Sequence, residues 1–368
     1  MFHFFFNLIG FLFKKILIYL GPIYIKLGQL LSYDYPIFKN LQTLQNKCPG
    51  LNSKEISYFQ SKYPNLNISN HCFAAGSVSV VHTGFIENTV VAIKIKRPNI
   101  DNIIKNSLWY THIIRNIISK LPFLSVINIK NKIDVVIDIY TKQTDFINEF
   151  ENWKLFKKNS ENALNVIIPH FYEKYCNHEL LVMEYLVGHN LLEKKFIGKT
   201  ENIVMGNLII GSYLSGIING FVHGDLHCGN FSWINNNIII YDFGLMIRLD
   251  NNKKNIVLEI LSCIFERNSR GLLECFFNYF VDKKHAISDT KKNKLIDKFN
   301  NEFYKNGGNL FSDIKRFLEN NDLVFNNDMI ELELSLLSLL TTLANLCYSL
   351  DDGAEIFIDT FNQSILEL

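Results

Sequence analysis

The sequence lacks the features of three common protein classes: excess charge of one sign, paired cysteines and a long apolar span. Its 368 residues include 37 Lys and Arg and 36 Asp and Glu, so the formal net charge is +1. This balance argues against a general nucleic-acid-binding protein, which carries a clustered excess of basic residues. The seven cysteines are odd in number and no two have CxxC spacing. A disulfide framework is therefore disfavoured, and a reducing intracellular location is favoured.

No uninterrupted apolar run is long enough to cross a bilayer. The N-terminal stretch MFHFFFNLIGFLFKKILIYLGPIYI is broken by Lys14 and Lys15, and neither half reaches the about 20 residues that a spanning helix needs. The lack of preceding basic residues and of a small-residue cleavage site disfavours a signal peptide. Two interpretations stay open: a helix in a membrane interface, with the protein peripheral on that membrane, and a helix packed on the rest of the chain. A second apolar run, 334–350, contains Ser and Thr and predicts a buried helix.

The pattern of elements indicates two lobes. Residues 1 to about 60 have helical periodicity punctuated by prolines. Residues 72–97 alternate apolar with small or polar side chains around Glu87–Asn88, which predicts a β-hairpin. Helical periodicity covers about 100–159, a strand covers 179–188, and helices dominate the rest except for the strand NIIIYDFG. Strands first and helices later predict a small α/β lobe and a larger helical lobe.

Three polar residues near the middle of the chain have a distinctive spacing. Asp225 and Asn230 lie five residues apart, and Asp242 follows after a short apolar strand and opens DFG. Protein kinases place a catalytic aspartate, a metal-binding asparagine and the DFG aspartate in this order. Asn230 and Asp242 offer hard oxygens for magnesium ions that bridge nucleotide phosphates. Asp225 can accept a hydroxyl proton or orient the acceptor.

Two other interpretations of this stretch are weighed against the kinase one. The segment HGDLHCGN could bind zinc through its own side chains, namely His223, Asp225, His227 and Cys228. The sequence offers no second cluster that would complete such a site. The polar residues could also do no more than cap turns, but their spacing favours the kinase interpretation. His223 is expected to pack and to form hydrogen bonds rather than to transfer protons.

The kinase interpretation requires a lysine on an upstream strand and a helical glutamate that holds it. The segment VAIK supplies Lys94, and its side chain lies on the strand face opposite the apolar residues Val91, Ile93 and Ile95. Lys96 shares the face of Lys94 and is the alternative. The segment QTDFINEFENW supplies Glu149 and, as the alternative, Glu151.

The backbone that would surround a nucleotide differs from that of ordinary kinases. The strand LLVMEYL is expected to contact adenine around Glu184 and Leu186. No G-x-G-x-x-G motif occurs between residues 60 and 90, where AAGSVSVVHTG stands instead. Alanine restricts the backbone more than glycine does, so we expect a stiffer loop that covers the phosphates differently.

Taken together, these motifs resemble the UbiB-like atypical kinase family, the coenzyme-Q-linked kinase-like ATPases. KLGQ, with Lys26, Gly28 and Gln29, is similar to the KxGQ signature of that family. AAGS, from Ala74 to Ser77, resembles its alanine-rich loop, and VAIKIKRPNI resembles the segment around its nucleotide lysine. HGDLHCGN and DFG resemble its catalytic and metal loops. The resemblance covers about residues 15–250.

The resemblance implies an α+β, bilobal protein-kinase-like fold with an N-terminal helical extension and a helical C-terminal lobe. Residues 1–65 would form the extension that carries KxGQ, 66–188 the N-lobe and 189–368 the C-lobe. Together with the kinase template it implies a catalytic set, Asp225, Lys94 and Glu149, and a metal-binding pair, Asn230 and Asp242. The implied cofactor-binding residues are Ala74, Ala75, Gly76, Ser77, Lys94, Glu184, Leu186, Lys26 and Gln29.

The function implied by the resemblance is that of a kinase-like ATPase or phosphotransferase that binds ATP and Mg²⁺. Its acceptor would be a lipid or small molecule, and its partners a nucleotide and a lipid or membrane surface, with a link to ubiquinone metabolism. One alternative is a pseudokinase or lipid-binding scaffold without turnover. Another is an ordinary protein or aminoglycoside-type phosphotransferase, because HGD also occurs in small-molecule kinases.

The sequence departs from the family pattern in three places. Gly76 stands where a third alanine is usual, which would loosen the loop. Gln143 replaces the glutamate of the ExD motif, so that Lys26 would lose a partner. Gly224, Leu226 and Cys228 stand in the catalytic loop where alanine and two prolines are usual, which keeps the chemical groups and adds flexibility.

Overall fold

The computed structural model divides the chain into two compact units. One unit is Met1–Phe150 with Pro169–Leu186, and the other is Glu151–Ile168 with Val187–Leu368. The residues that the structure describes are 24, 49–118, 129–160, 165–190, 199–266, 268–281, 287–303, 314, 317–318, 320–321, 323 and 330–346. Lys26 and Gln29 of the predicted KxGQ motif therefore lie outside the described residues. The domain boundaries expected from the sequence stay predictions.

The first unit contains a four-stranded antiparallel sheet. Its strands are β1 (Asn67–Ala75), β2 (Ser79–Ile86), β3 (Thr89–Lys96) and β5 (Leu180–Glu184), in the order β1-β2-β3-β5. The predicted hairpin is confirmed, because Ile86 pairs with Thr89 across the two-residue turn Glu87–Asn88. Glu87 has a φ of 53°, a value that two-residue hairpin turns require. The sequence pattern predicts the hairpin from residue 72 onward, whereas β1 already begins at Asn67. The pairing of β1 with β2 is interrupted by register shifts on either side of Cys72.

One face of this sheet packs on the first helix. Helix α1 (Ser53–Lys62) is capped by Asn52, whose side chain accepts hydrogen bonds from the Lys54 and Glu55 amides, while the Glu55 carboxylate accepts one from the Asn52 amide. The buried core formed by helix and sheet is Leu51, Ile56, Phe59, Leu66, Ile68, Val80, Val91, Ile93, Ile95, Leu180 and Val182. The apolar face predicted for β3 is thus the core face.

In the described part of the chain between the hairpin and residue 160, the helices are α2 (Ile100–Ile118), α3 (Ile129–Thr144) and α4 (Phe146–Asn159). They confirm the helical periodicity seen in the sequence. Helices α2 and α3 pack against each other. The first residues of α4, up to Phe150, belong to the first unit, and the rest belong to the second.

The second unit has more strands than the single one predicted for this region. A mixed sheet has the order β4-β9-β8-β6, and β7 pairs with β10 in a separate ribbon. These strands are β4 (Val166–Ile167), β6 (His189–Asn190), β7 (Phe221–His223), β8 (Phe231–Ile234), β9 (Asn237–Ile240) and β10 (Met246–Arg248). Strands of two to four residues are too short to display an alternating pattern, which is why the sequence did not reveal most of them.

Helices supply the remaining core of the second unit. The α-helices among the described residues are α5 (Lys199–Ile218), α6 (Asn251–Phe265), α7 (Ser269–Cys275), α8 (Asp289–Phe303) and α9 (Ile330–Asn345). Helix α9 contains most of the second apolar run, and its Leu336, Leu339 and Leu343 are buried, as predicted. Within the described ranges, no helix combines the length and the apolar character needed to span a membrane.

Candidate functional site

Lys94 and Glu149 form a buried ion pair in the first unit. Lys94 Nζ lies 2.6 Å from Glu149 Oε1, and the two side chains are 10% and 0% exposed. The lysine is fixed by β3, between β2 and β5, and its ammonium also lies 5.6 Å from the centre of the Phe146 ring. The glutamate is fixed by the start of α4, where Asp145 Oδ1 accepts hydrogen bonds from the Ile147 and Asn148 amides.

The alternative partners named from the sequence lie elsewhere. Lys96 Nζ lies 2.7 Å from Asp101 Oδ1. Glu151 is exposed and its Oε1 lies 3.5 Å from Lys154 Nζ. The geometry therefore selects Lys94 over Lys96 and Glu149 over Glu151 as the buried pair.

The alanine-rich segment is a strand end followed by a tight turn. Ala74 and Ala75 are the last residues of β1 and pair with Val81 and Val80. The sequence had suggested that they belong to a loop, whereas the structure places them in a strand. The turn comprises Gly76, Ser77 and Val78, and the Gly76 amide donates to Ser79 O at 2.8 Å.

Glycine is not required by the backbone at position 76. The φ of Gly76 is not positive, and a Cβ placed there would meet nothing nearer than Ser79 O at 3.5 Å. The third alanine that is usual in the family would thus fit this backbone.

The segment expected to contact adenine follows β5. The Glu184 amide donates to His170 O at 2.7 Å, so a bound base would have to use other backbone groups between Glu184 and Leu186. The Phe73 ring of β1 meets the Tyr185 ring edge to face, with centroids 5.6 Å apart. The end of β1, in the alanine-rich segment, and the segment expected to contact adenine are therefore neighbours within the first unit.

In the second unit the loop between β7 and β8 is held by its own polar groups. Asn230 Nδ2 donates to Asp225 O at 2.8 Å, and the Asn230 amide donates to His227 O at 2.9 Å. His227 Nε2 lies 3.9 Å from Asp225 Oδ2. The bond through Nδ2 sets the orientation of the Asn230 side chain, so that Oδ1, the atom that could bind a metal, points away from the Asp225 carbonyl.

His223 joins this loop to the DFG segment. Its Nδ1 accepts from the Asp225 amide at 3.1 Å, and its Nε2 donates to Asp242 O at 2.8 Å. Both bonds are satisfied by the neutral ring with its proton on Nε2. Burial lowers the pKa of His223, while the nearby Asp242 carboxylate acts in the opposite direction. The predicted packing role is confirmed, and His223 additionally connects Asp225 with Asp242.

The DFG segment is anchored from both sides. Asp242 Oδ1 accepts from the Gly244 amide at 2.9 Å. The fully buried Phe243 packs its ring 5.4 Å from that of Phe156, and its carbonyl accepts from Asn152 Nδ2 at 3.0 Å. Asp242 itself is half-buried, unlike the residues that follow it.

The geometry argues against the zinc interpretation. Nδ1 of His223 accepts a hydrogen bond from the Asp225 amide and Nε2 donates its proton to Asp242 O, so no ring lone pair is left for a metal. The buried Cys228 thiol lies against Thr342 Oγ1 and Asn345 Nδ2, and burial raises the pKa of this thiol. Among the described residues, no group of three or more His, Cys, Asp or Glu side chains is arranged to hold a metal ion.

Helix α9 supports the loop with hydroxyl groups that the sequence analysis missed. Ser335 Oγ donates to His223 O at 2.8 Å, and Thr342 Oγ1 donates to Leu226 O at 2.7 Å. Tyr213 of α5 bonds to Ser335 Oγ at 2.8 Å. The available signal was the recurrence of Ser and Thr on one face of an apolar helix, because a buried hydroxyl needs a partner.

The structure brings the predicted residues together in two sets. Lys94 and Glu149 form the set of the first unit. Glu184, the last residue of β5, and Leu186 belong to the same unit. Asp225, Asn230 and Asp242 form the set of the second unit, and all three side chains are half-buried. Ala74, Ala75, Gly76 and Ser77 lie at the β1–β2 turn.

A family model described as the ABC1 atypical kinase-like domain matches residues 44–276, which is more than half of the chain. The chain belongs to this family. The identification as a UbiB-like atypical kinase, made from the motifs, is thereby confirmed, as is the kinase-like α+β fold.

Relatives in the ABC1 family come from bacteria and plants. An uncharacterised protein of Clostridium pasteurianum, encoded in the hydrogenase 1 5′ region, is 29% identical over 73% of this chain and 53% of its own length. The chloroplastic ACTIVITY OF BC1 COMPLEX KINASE 7 of Arabidopsis thaliana is 24% identical over 71% of this chain and 40% of its own length. The chain thus spans about half the length of these two curated relatives.

A solved structure supports the fold of this ABC1 family member. The complex of Rv3197 with erythromycin from Mycobacterium tuberculosis matches 89% of this chain and 86% of that chain, with a TM-score of 0.54 and 15% identity. At this identity the likeness concerns the fold alone.

Proposed function

We propose that this chain binds ATP with Mg²⁺ and acts as an ATPase or phosphotransferase. The observation that carries the proposal is the hydrogen-bonded connection through His223, which fixes Asp225 and Asp242 relative to one another by their backbone groups. A structural turn would need no such connection between two loops. Phosphoryl transfer depends on positioning and charge neutralisation. Fixed carboxylates supply positioning directly, and they would supply neutralisation through a cation that they hold.

The side chains present fit a magnesium ion. Asn230 Oδ1 and the Asp242 carboxylate are oxygen ligands of the hard type that Mg²⁺ prefers, and the half-buried environment leaves them accessible. When bound, the ion would neutralise phosphate charge. Asp225 would orient the acceptor hydroxyl or water and accept its proton.

Lys94 is proposed to neutralise the nucleotide phosphates. Its ammonium is held by Glu149 at 2.6 Å, so the charge is fixed before a nucleotide arrives. The contact with Phe146 limits its side-chain freedom further. Ala74 to Ser77 and the backbone around Glu184 and Leu186 are proposed to surround the nucleotide, and Lys26 and Gln29 to complete the site.

The acceptor is proposed to be a lipid or small molecule, at a membrane surface and linked to ubiquinone metabolism. This proposal rests on membership of the UbiB-like family and on the apolar N-terminal sequence. The bc1 complex in the names of the Arabidopsis relatives is compatible with it.

A turnover assay tests the proposal. Phosphate release from ATP would be measured with and without Mg²⁺, and with and without vesicles of phosphatidylcholine and an anionic lipid. We expect magnesium-dependent turnover that is lost in Asp242→Asn and Asp225→Asn and retained in the matched control Asp297→Asn, an exposed position on α8. Turnover that survives in Asp242→Asn would contradict the proposal.

The scaffold alternative is favoured by one observation, the Gln143 that replaces an acidic residue of the ExD motif. It predicts magnesium-dependent nucleotide binding without phosphate release in the same samples. Gln143→Glu would then be the variant that restores turnover.

A further inference from the structure

Arg97 contacts two chain segments that are distant in sequence. It follows the last residue of β3. Its Nε donates to Gly76 O at 2.9 Å, and its Nη2 donates to Pro49 O at 2.7 Å. One guanidinium group thus bridges the alanine-rich turn and the segment that precedes α1. A single planar cation bonded to two main-chain carbonyls is a directional contact, unlike a solvated surface charge.

The backbone of Arg97 is itself fixed. Its amide donates to Val78 O at 2.9 Å, and its carbonyl accepts from the Ile100 amide at 3.2 Å. The proline at position 98 fixes its own φ and limits the conformations of Arg97. The side chain therefore leaves from a defined point next to the turn that it contacts.

The segment around Pro49, the second contact of Arg97, also packs on the sheet. A Cβ at Gly50 would lie 2.8 Å from Cys72 Cβ of β1, so the segment approaches the strand as closely as a backbone without a side chain allows. The Leu51 amide lies 3.4 Å from His82 Nε2 of β2. The segment 49–51 thus has contacts of its own with β1 and β2.

We propose that Arg97 is a positioning residue that couples the alanine-rich turn to the segment 49–51. The inference rests on the proposed nucleotide-binding function of this turn. Gly76 gives the turn more backbone freedom than the alanine usual in the family, and the Arg97 guanidinium restricts that freedom from outside. Movement of either segment is transmitted to the other through the shared guanidinium.

Hydrogen exchange measured by mass spectrometry on the full chain tests the coupling without nucleotide. The variants are Arg97→Lys, which keeps the charge but cannot bridge both carbonyls in the same geometry, and Arg97→Gln. Lys96→Gln is the matched control, since its lysine pairs with the exposed Asp101. We expect exchange to rise by about tenfold in peptides covering both 74–79 and 49–53, as loss of a local restraint predicts. The Lys96→Gln control should leave both peptides unchanged.

Three outcomes have defined meanings. Faster exchange in both segments, with the core strand β3 still protected, supports the coupling. Unchanged exchange at 74–79, or a rise in one segment alone, overturns it. A uniform rise that includes β3 indicates a folding role and also overturns it.

A second variant connects the coupling to nucleotide. We expect Arg97→Lys to weaken magnesium-ATP binding several-fold and Gly76→Ala in the same chain to restore part of it, because alanine supplies the missing restriction. No restoration, with nucleotide bound normally by the parent chain, would contradict the link to Gly76. Failure of the parent chain to bind nucleotide would contradict the proposed function and leave the exchange result as the test of the coupling.

Discussion

At the scale of single residues, the Lys94 ammonium is buried, so that hydration contributes little to stabilising its charge. A buried charge must be compensated by a partner, and Glu149 provides that compensation at 2.6 Å. Burial of both groups makes the pair much more sensitive to mutation than an exposed ion pair.

Removing one member of this pair should destabilise the fold more than removing both. Lys94→Met or Glu149→Gln alone is expected to lower the free energy of unfolding by about 3–5 kcal/mol, because one charge or polar group stays buried without its partner. The double variant should recover part of this loss. Urea unfolding of the four proteins measures the difference, with Lys158→Met, at an exposed position on α4, as the control. Additive losses would contradict a coupled pair.

Two buried histidines should make stability depend on pH. Burial lowers the pKa of both His82 and His223, so the unfolded chain binds protons more readily. Their contribution is complete above the unfolded pKa of about 6.5 and is lost as pH falls from there toward the lower folded values. The slope is at most about 1.4 kcal/mol per pH unit for each histidine.

The measurement is urea unfolding between pH 7.5 and 5.5. His223→Gln and His82→Gln should each reduce the pH dependence, because glutamine does not titrate. The exposed His178→Gln serves as control. A slope that is the same in all four proteins would refute the assignment.

The sequence indicates candidate site residues, but it does not indicate the residues that hold them in place. Asp225, Asn230 and Asp242 are predicted from spacing, because the kinase template fixes which groups are needed and in what order. Arg97 could not be predicted as a bridging residue, since carbonyl acceptors carry no signature in the side-chain sequence. Its role depends on which backbone groups the fold brings within reach.

At the scale of elements, α9 illustrates both the strength and the limit of pattern analysis. Its apolar run predicts burial, and the leucines are buried. The hydroxyl groups of Ser335 and Thr342 bond to carbonyls of His223 and Leu226, on both sides of Asp225. This helix lies outside the region matched by the family model, 44–276, but it supports the loop that carries Asp225.

Replacing the α9 hydroxyls should therefore affect turnover as well as stability. Thr342→Val conserves shape but leaves the Leu226 carbonyl without this donor, at a cost of about 1–3 kcal/mol in unfolding free energy. We expect kcat to fall by a larger factor than KM changes, because the backbone next to Asp225 loses a hydrogen bond that fixes its position. Thr341→Val, at the adjacent half-buried position, is the control. A loss of stability with unchanged kcat would limit α9 to a structural role.

The strands of the second unit are too short for their existence and boundaries to be predicted from the sequence. Strand β7 has three residues, and its bonds to β10 place His223 opposite Met246. No periodicity can be measured over three residues. The position of His223 therefore depends on tertiary pairing that local patterns do not encode.

At the scale of the whole molecule, family membership and the two sets of site residues support the same account. Each unit contains chemically suited groups: a lysine held by a glutamate in the first, and half-buried carboxylate and amide oxygens in the second. The chain spans about half the length of the first curated relatives, so the activity, substrate and partners of the whole protein are proposals. The central claim made for this protein is that these groups bind a nucleotide together with Mg²⁺.

The most direct test of that claim is thermal unfolding with and without magnesium-ATP. Ligand at about 100 times its dissociation constant should add about 2.7 kcal/mol to the unfolding free energy, which for a chain of this size raises Tm by roughly 3 °C. We predict this rise for the parent chain and for Asp297→Asn, only when Mg²⁺ is present, and its loss in Asp242→Asn. An equal rise in Asp242→Asn, or none in a well-folded parent chain, would contradict the account.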